Sequence, residues 1–318
     1  DVYKRQELYI EIDAALSLSD SFTSSANNTL KIIDKNLPAT YEQECVKLGK
    51  NAVLIDEHNR PLVFRGERLN RLIYNKCYLA SLLANIGSID DMKVIEVGAS
   101  DGLFAKLLKA NGARYVYGVD TEPLCGISYR NESMLEFASG HSSLLPADDC
   151  SFDLSVSIAS FEHISDPIKA LNEMIRVTRP GGYVYIQAGP LYYSPNGHHM
   201  FDYFRSEPWA HLRFTPEELV QMLKTRGFEE TIQKEFMITA EEYIDLMLSK
   251  KHLNGLKLSQ YGLREYCNGN NTRLVKFTPS YECADQLTSA IASQLNHISR
   301  NNLLLHGFEP VSYTHLRA

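Results

Sequence analysis

The chain has 318 residues, 44% of them hydrophobic, and a formal charge of −7. That length buries one large core with additions rather than two equal domains, and the acidic balance argues against a general nucleic-acid binder, whose partner requires a basic surface. Six cysteines, Cys45, Cys77, Cys125, Cys150, Cys267 and Cys283, contain no Cys-x-x-Cys pair, which fits reduced thiols in a cytoplasmic protein, and no apolar run approaches the ~20 residues of a membrane span.

Residues 1–6 (Asp-Val-Tyr-Lys-Arg-Gln) and 310–318 (Pro-Val-Ser-Tyr-Thr-His-Leu-Arg-Ala) resemble translated sequencing-adapter read-through. Both are set aside from fold reasoning, and the natural protein is expected to continue beyond one or both ends. Residues 7–36 read as a helix followed by a polar segment, and 52–55 with 61–64 as a short hairpin. A helix is predicted over 67–85, where Leu69, Leu72, Ile73, Leu79, Leu82 and Leu83 recur at helical spacing. It should pack beside the strand that begins near residue 93 and cover one side of the binding pocket.

The most informative stretch is 94–102, Val-Ile-Glu-Val-Gly-Ala-Ser-Asp-Gly. Val94, Ile95 and Val97 suit a buried parallel strand, Gly98 and Gly102 clear side chains from the turn, and 103–108 begins a helical pattern. A dinucleotide fingerprint requires glycines at the first, third and sixth positions; Ser100 and Leu103 fill the last two, so NAD is disfavoured. Residues 115–120 read as a second strand ending in Asp120, an acceptor-only side chain suited to two hydroxyl donors. Strand and helix patterns alternate from 93 to 186, which predicts a parallel sheet with right-handed crossovers.

The acidic residue two before Gly98 and the Gly98-x-x-x-Gly102 turn resemble the first motif of class I S-adenosylmethionine-dependent methyltransferases. Asp120, the segments 145–154 and 157–164, and the Val177-Thr-Arg-Pro-Gly-Gly182 turn before a fifth strand extend the resemblance over about ninety residues. The resemblance implies a Rossmann-like class I methyltransferase fold, α/β with helices on both faces of a mostly parallel sheet. It also implies S-adenosyl-L-methionine as cofactor. Cofactor roles are carried to Glu96, Gly98, Ala99, Ser100, Gly102, Asp120 and Thr121, and to Ile158, Ala159 and Ser160 after the fourth strand. The segment at which the family often places an acidic adenine contact reads Gly140-His-Ser-Ser-Leu-Leu145, so His141 or the Ser142 backbone is the expected bond to the exocyclic amine. Asp101 reads as a turn or helix-start residue, Asp153 as the anchor of its strand, and Glu162 and His163 as the start of the next helix.

Residues 187–200 are rich in turn formers, aromatics and histidines, and follow the carboxyl end of a strand, where ligands bind in open α/β sheets. This loop is expected to face the transferred methyl group. Methyl transfer is an in-line displacement at a sulfonium carbon, and a hydroxyl acceptor needs something to take its proton; histidine suits that task. The candidates are His199, then His198, then His163, with loop hydrogen bonding as the competing role. His198, His199, Asp202 and His211 could instead ligate a divalent ion, but the set lacks the oxygens of a hard-cation site and the cysteines of a zinc site, and no metal is expected. The aromatics Tyr192, Tyr193, Phe201, Tyr203, Phe204 and Trp209 would stack on a ring-shaped acceptor or form the lid's own core.

Further on, Thr215-Pro216 with Glu218 marks a helix start and Gly227 its end. Residues 228–236 and 273–278 read as late strands, 240–250 as an amphipathic helix, 251–271 as a polar insertion and 283–305 as a helix. The expected organisation is an N-terminal extension (1–65), a methyltransferase core (66–236), a helical insertion or lid (237–272), and a final strand with C-terminal helix (273–309). The expected activity is methylation of oxygen on a small molecule, sugar or glycan intermediate. Transfer to nitrogen or carbon, or a non-catalytic cofactor-binding module of the same fold, are the alternatives.

Overall fold

The computed structural model describes residues 67–122, 125–126, 129–204, 206–228, 239–250, 252–262 and 272–314. The readings of 7–36, of the hairpin at 52–64 and of a strand over 229–236 lie outside the described residues.

Helix α1 (Glu67–Ile86) leads into β1 (Lys93–Val97), α2 (Leu103–Ala110), β2 (Tyr115–Asp120), β3 (Leu135–Ser139), β4 (Phe152–Ile158), α3 (Pro167–Val177) and β5 (Thr178–Gln187). Two short helices, α4 (Phe201–Phe204) and α5 (Ala210–Arg213), precede α6 (Pro216–Thr225) and α7 (Ala240–Leu248). A 3-10 turn (Leu258–Tyr261), β6 (Thr272–Tyr281), α8 (Ser289–Gln294), α9 (Arg300–Leu304) and β7 (Leu305–Thr314) follow. One seven-stranded sheet runs β3-β2-β1-β4-β5-β7-β6. The pairs from β3 to β5 are parallel, and β7 pairs antiparallel with both β5 and β6. The expected Rossmann-like class I arrangement is therefore present.

Strand β1 shows why the sheet is covered on both sides. Val94 joins α1 and α2 residues Leu79, Leu82, Phe104 and Leu107 in one core, whereas Ile95 and Val97 join Leu171, Met174 and Val177 of α3 in the other. Alternate residues of a strand point to opposite faces, so a continuous apolar run can feed two cores. Asp153, read as the anchor of its own strand β4, ties β4 to β1: its carboxylate accepts the Lys93 N–H at 2.7 Å and pairs with Arg179. A smaller core joins Met200 and Phe204 to α6 and α7 through Leu219, Leu223, Ile244 and Met247.

Three expectations are corrected. Helix α3 begins at Pro167 with Asp166 as its cap, accepting from the Lys169 N–H, so Glu162 and His163 lie in a turn before it. The apolar side read over 283–305 exists, with Leu287, Leu295 and Ile298 buried around Trp209. Its helix is broken into α8 and α9, because Ser299 caps a new start by accepting from Asn302 N–H. The last strand among the described residues is β7, which includes residues 310–314 and follows those helices rather than preceding them.

Candidate functional site

The strand order reverses between β1 and β4, and a cavity of about 820 Å³ opens outside their carboxyl ends, where open α/β sheets bind ligands. Its lining includes Glu96, Gly98, Ala99, Ser100, Asp120, Thr121, His141, Ser142, Ile158, Ala159 and Ser160. Of the residues nominated for a cofactor, Gly102 alone does not line it.

The turn after β1 is held from both sides. Gly98 and Ala99 N–H donate to the Val119 carbonyl at 2.8 and 3.2 Å, and Gly102 N–H to the Ala99 carbonyl at 2.8 Å. Gly98 has φ +88°, and a Cβ there would lie 2.1 Å from Ser160 Oγ, so no side chain fits. Ser100 and Ala159 also have positive φ, 48° and 46°, a conformation that costs non-glycine residues about 1–3 kcal/mol and marks a shaped backbone on both walls of the cavity. Asp120 is half-buried; one oxygen accepts the Ser100 N–H at 2.8 Å and the other the Glu122 N–H at 3.0 Å. The Thr121 hydroxyl also donates to Asp120 at 3.5 Å. A carboxylate offers about four lone-pair sites, so about one remains for a further donor. Asp101 behaves as a helix-start residue, accepting the Leu103 N–H at 3.3 Å. His141 Nδ1 accepts the Ser143 N–H at 3.2 Å, which leaves a neutral ring its proton on Nε2. That nitrogen is a donor, suited to a ring nitrogen rather than to an exocyclic amine.

The outer wall is formed by Tyr74, Asn75 and Tyr78 of α1, by His163, Ile164 and Ser165 after β4, and by Lys250 after α7. Helix α1 therefore covers one side of the cavity, and Lys250 is the residue of 237–272 that reaches it. The loop 189–211 does not line it, nor do His198, His199 or any of the loop's aromatics. His198 is fully buried: its Nδ1 accepts the Met200 N–H at 2.9 Å and its Nε2 is buried without a partner. His199 donates from Nε2 to the Pro190 carbonyl at 2.9 Å. His211 bonds the Tyr192 carbonyl. Among the described residues no cluster of His, Cys, Asp and Glu is arranged to hold a metal ion. The loop turns inward with Met200 and Phe204 buried against α6 and α7. Each of the three histidines has one ring nitrogen bonded to backbone, while His198 Nε2 and His211 Nδ1 are buried without a partner.

His163 alone of the three nominated histidines reaches the cavity. Its Nδ1 bonds the His252 carbonyl, which can only accept, so Nδ1 carries the proton and Nε2 is an acceptor. His252 and His199 pack against it, with ring centroids 5.1 and 5.2 Å away. Burial lowers the pKa of His163; it lowers His252 and His211 to about 4 and His198 and His199 to about 3. At neutral pH this group of imidazoles is uncharged.

Sequence reasoning missed Asn254. Its backbone N–H donates to the Glu162 carbonyl at 2.8 Å, and its Nδ2 donates to the carbonyls of Phe161 at 2.7 Å and Ile164 at 2.9 Å. Tyr261 in turn donates its hydroxyl to Asn254 Oδ1 at 3.0 Å. The insertion is thereby stapled to the turn that carries His163. Nothing in a lone Asn within a polar segment distinguishes this role from a loop residue.

Residues 95–186 match the family described as "Methyltransferase domain". An "Uncharacterized methyltransferase" of Mycobacterium sp. (strain JLS) is 40% identical over 92 residues, 28% of this chain and 35% of that protein. A "Probable S-adenosylmethionine-dependent methyltransferase" of Mycolicibacterium smegmatis is 30% identical over 139 residues, 43% of this chain and 51% of that protein. The chain thus spans between a third and about half of the length of these relatives. A solved S-adenosylmethionine-dependent methyltransferase from Mesorhizobium loti is similar at 16% identity, covering 74% of this chain and 96% of its own, with a TM-score of 0.44.

Proposed function

We propose, from the premise that residues 95–186 are a class I S-adenosylmethionine-dependent methyltransferase domain, that the chain methylates oxygen on a small molecule, sugar or glycan intermediate, with His163 taking the acceptor's proton. The observation that carries the reading is His163, its proton held on Nδ1, lining the same cavity as the glycine turn and Asp120.

The residues present fit the cofactor. The backbone from Gly98 to Ser100 and from Ile158 to Ser160 would hold its methionine end, Asp120 with Thr121 its ribose, and His141 Nε2 with the Ser142 backbone its adenine. Glu96, buried at the end of β1, would face the amino-acid end, and Gly102 shapes the turn without lining the cavity. When bound, the group supplies an electrophilic methyl carbon on a sulfonium. The chain's own contribution is alignment of the acceptor, exclusion of water by α1 and the insertion, and a proton acceptor at Nε2 of His163. Lowering of the His163 pKa keeps that nitrogen unprotonated at neutral pH.

The test is purified protein incubated with radiolabelled S-adenosylmethionine and separate libraries of hydroxyl and amine acceptors. Label entering hydroxyl acceptors is the expected result; label entering only amines would sink the oxygen assignment. Calorimetry with S-adenosylhomocysteine should give binding that Asp120→Ala weakens by about 10- to 100-fold, corresponding to hydrogen bonds to a charged group of ~1.5–3 kcal/mol. NAD should not bind.

A further inference from the structure

Next to His163 stands a carboxylic acid that the proposed reaction leaves idle. The Glu162 side chain is 1% exposed, and its Oε1 lies 4.0 Å from His163 Nε2. Its Oε2 is buried without a hydrogen-bond partner. The backbone N–H groups of Glu162 itself and of Gly189 donate to the carboxyl. A carboxyl removed from water is costly to ionise unless a cation stands by, and the neighbouring side chain that can become one is the imidazole.

We propose that Glu162 and His163 form one proton-holding pair, and that the pair's fully deprotonated form receives the acceptor's proton. The inference rests on the reading of His163 as proton acceptor and names the residue that sets when it can act. In the transfer, the acceptor oxygen forms its bond to the methyl carbon and the carbon–sulfur bond breaks with its electron pair left on sulfur. The hydroxyl proton passes to His163 Nε2. The resulting imidazolium then stands beside the Glu162 carboxylate, and the pair returns its proton to water. Glu162 acts through His163 and is a positioning and charge-balancing residue.

Burial pushes the Glu162 carboxyl up to about 8, the backbone N–H groups opposing that rise, while burial lowers His163. At neutral pH the pair therefore holds one proton, resting on the carboxyl, the reverse of a carboxylate–imidazolium couple. The groups facing the pair from other elements are Tyr78 of α1, Tyr261 of the 3-10 turn, Asp120 at the end of β2, and the imidazoles of His199 and His252. The tyrosines stay protonated and the two imidazoles neutral, so Asp120 is the one charge among them near pH 8.

The experiment is NMR of the full chain with histidine labelled at ¹³Cε1, titrated without acceptor, the His163 signal being assigned by its loss in His163→Gln. An inflection near pH 8 that Glu162→Gln removes is expected. No inflection there, or one that survives the substitution, overturns the pair. If Glu162→Gln fails to bind S-adenosylhomocysteine and so has lost its fold, wild-type protein labelled at the glutamate carboxyl decides: a Glu162 signal titrating near 4.5, the ordinary value, overturns it equally. With a hydroxyl acceptor in hand, kcat/KM should rise through about pH 8 in the wild type, and in Glu162→Gln the limb should move below the ordinary histidine value. Should no hydroxyl acceptor take label, the oxygen reading falls while the titration still judges the pair.

Discussion

The two walls of the cavity are built on different principles. The inner wall, the turns after β1, β2 and β4, works through backbone geometry, with a glycine that tolerates no side chain and a carboxylate, Asp120, bonded to the neighbouring turn. The outer wall works through side chains brought from far apart in the chain, with the imidazole of residue 163 fixed by the carbonyl of residue 252 and its turn by Asn254. The first kind of site is written in consecutive letters. The second exists only after the insertion has docked.

The sharpest way to break this contrast is Gly98→Val. The substituted residue must hold a left-handed backbone, at about 1–3 kcal/mol, and its Cβ meets Ser160 Oγ at 2.1 Å. S-adenosylhomocysteine affinity, measured calorimetrically, should fall by at least about 100-fold. Retained binding would mean that the inner wall is not rigid.

A second comparison separates chemistry from packing within the outer wall. His163→Ala should lower kcat by about 100- to 10,000-fold with S-adenosylhomocysteine affinity nearly unchanged. His199→Ala removes a ring packed behind His163 and its bond to the Pro190 carbonyl. It should lower the urea midpoint, with a stability loss of about 1–2 kcal/mol, and it should leave the pH dependence of the reaction in place. The reverse pattern would return His199 to the role expected of it from sequence.

The last effect is a slope, spread over several groups at once. His198, His199, His211 and His252 titrate near 6.5 when unfolded and near 3 to 4 in the fold, because burial disfavours their charge. Between those values the unfolded chain binds protons that the native chain does not. Stability is therefore full above about pH 6.5 and declines as the pH falls toward 4, by up to about 1.4 kcal/mol per pH unit for each group. Glu162 has the opposite sign: its contribution is present below the ordinary carboxyl value and is lost as the pH rises through about 8. Urea midpoints measured from about pH 7 down to 4 in wild type and His198→Gln would reveal the histidine share as a flatter slope in the variant.

The legibility of the chain divides in the same way. The alternation of 93–186, the Gly98 turn, Asp120, and the cap of α6 are readable, because local propensity and the needs of the fold agree there. His198 and His199 mislead because a histidine-rich loop after a strand end has the composition of a site. What decides its direction is the burial of Met200 and Phe204 against α6 and α7, which no local pattern announces. The break between α8 and α9 turns on a single serine cap. The partnership of His163 with His252 spans 89 residues and has no signal at all.

Asp120 has a consequence beyond the lone pair it leaves open for a ligand. Its bond to the Ser100 N–H ties the end of β2 to the turn after β1, so the carboxylate that would meet a ribose also latches the backbone that would meet the rest of the ligand. The conformational entropy of ordering that turn is spent when the chain folds, not when the ligand arrives. A nucleoside enters a mould already set, and replacing Asp120 loosens the mould as well as removing a contact.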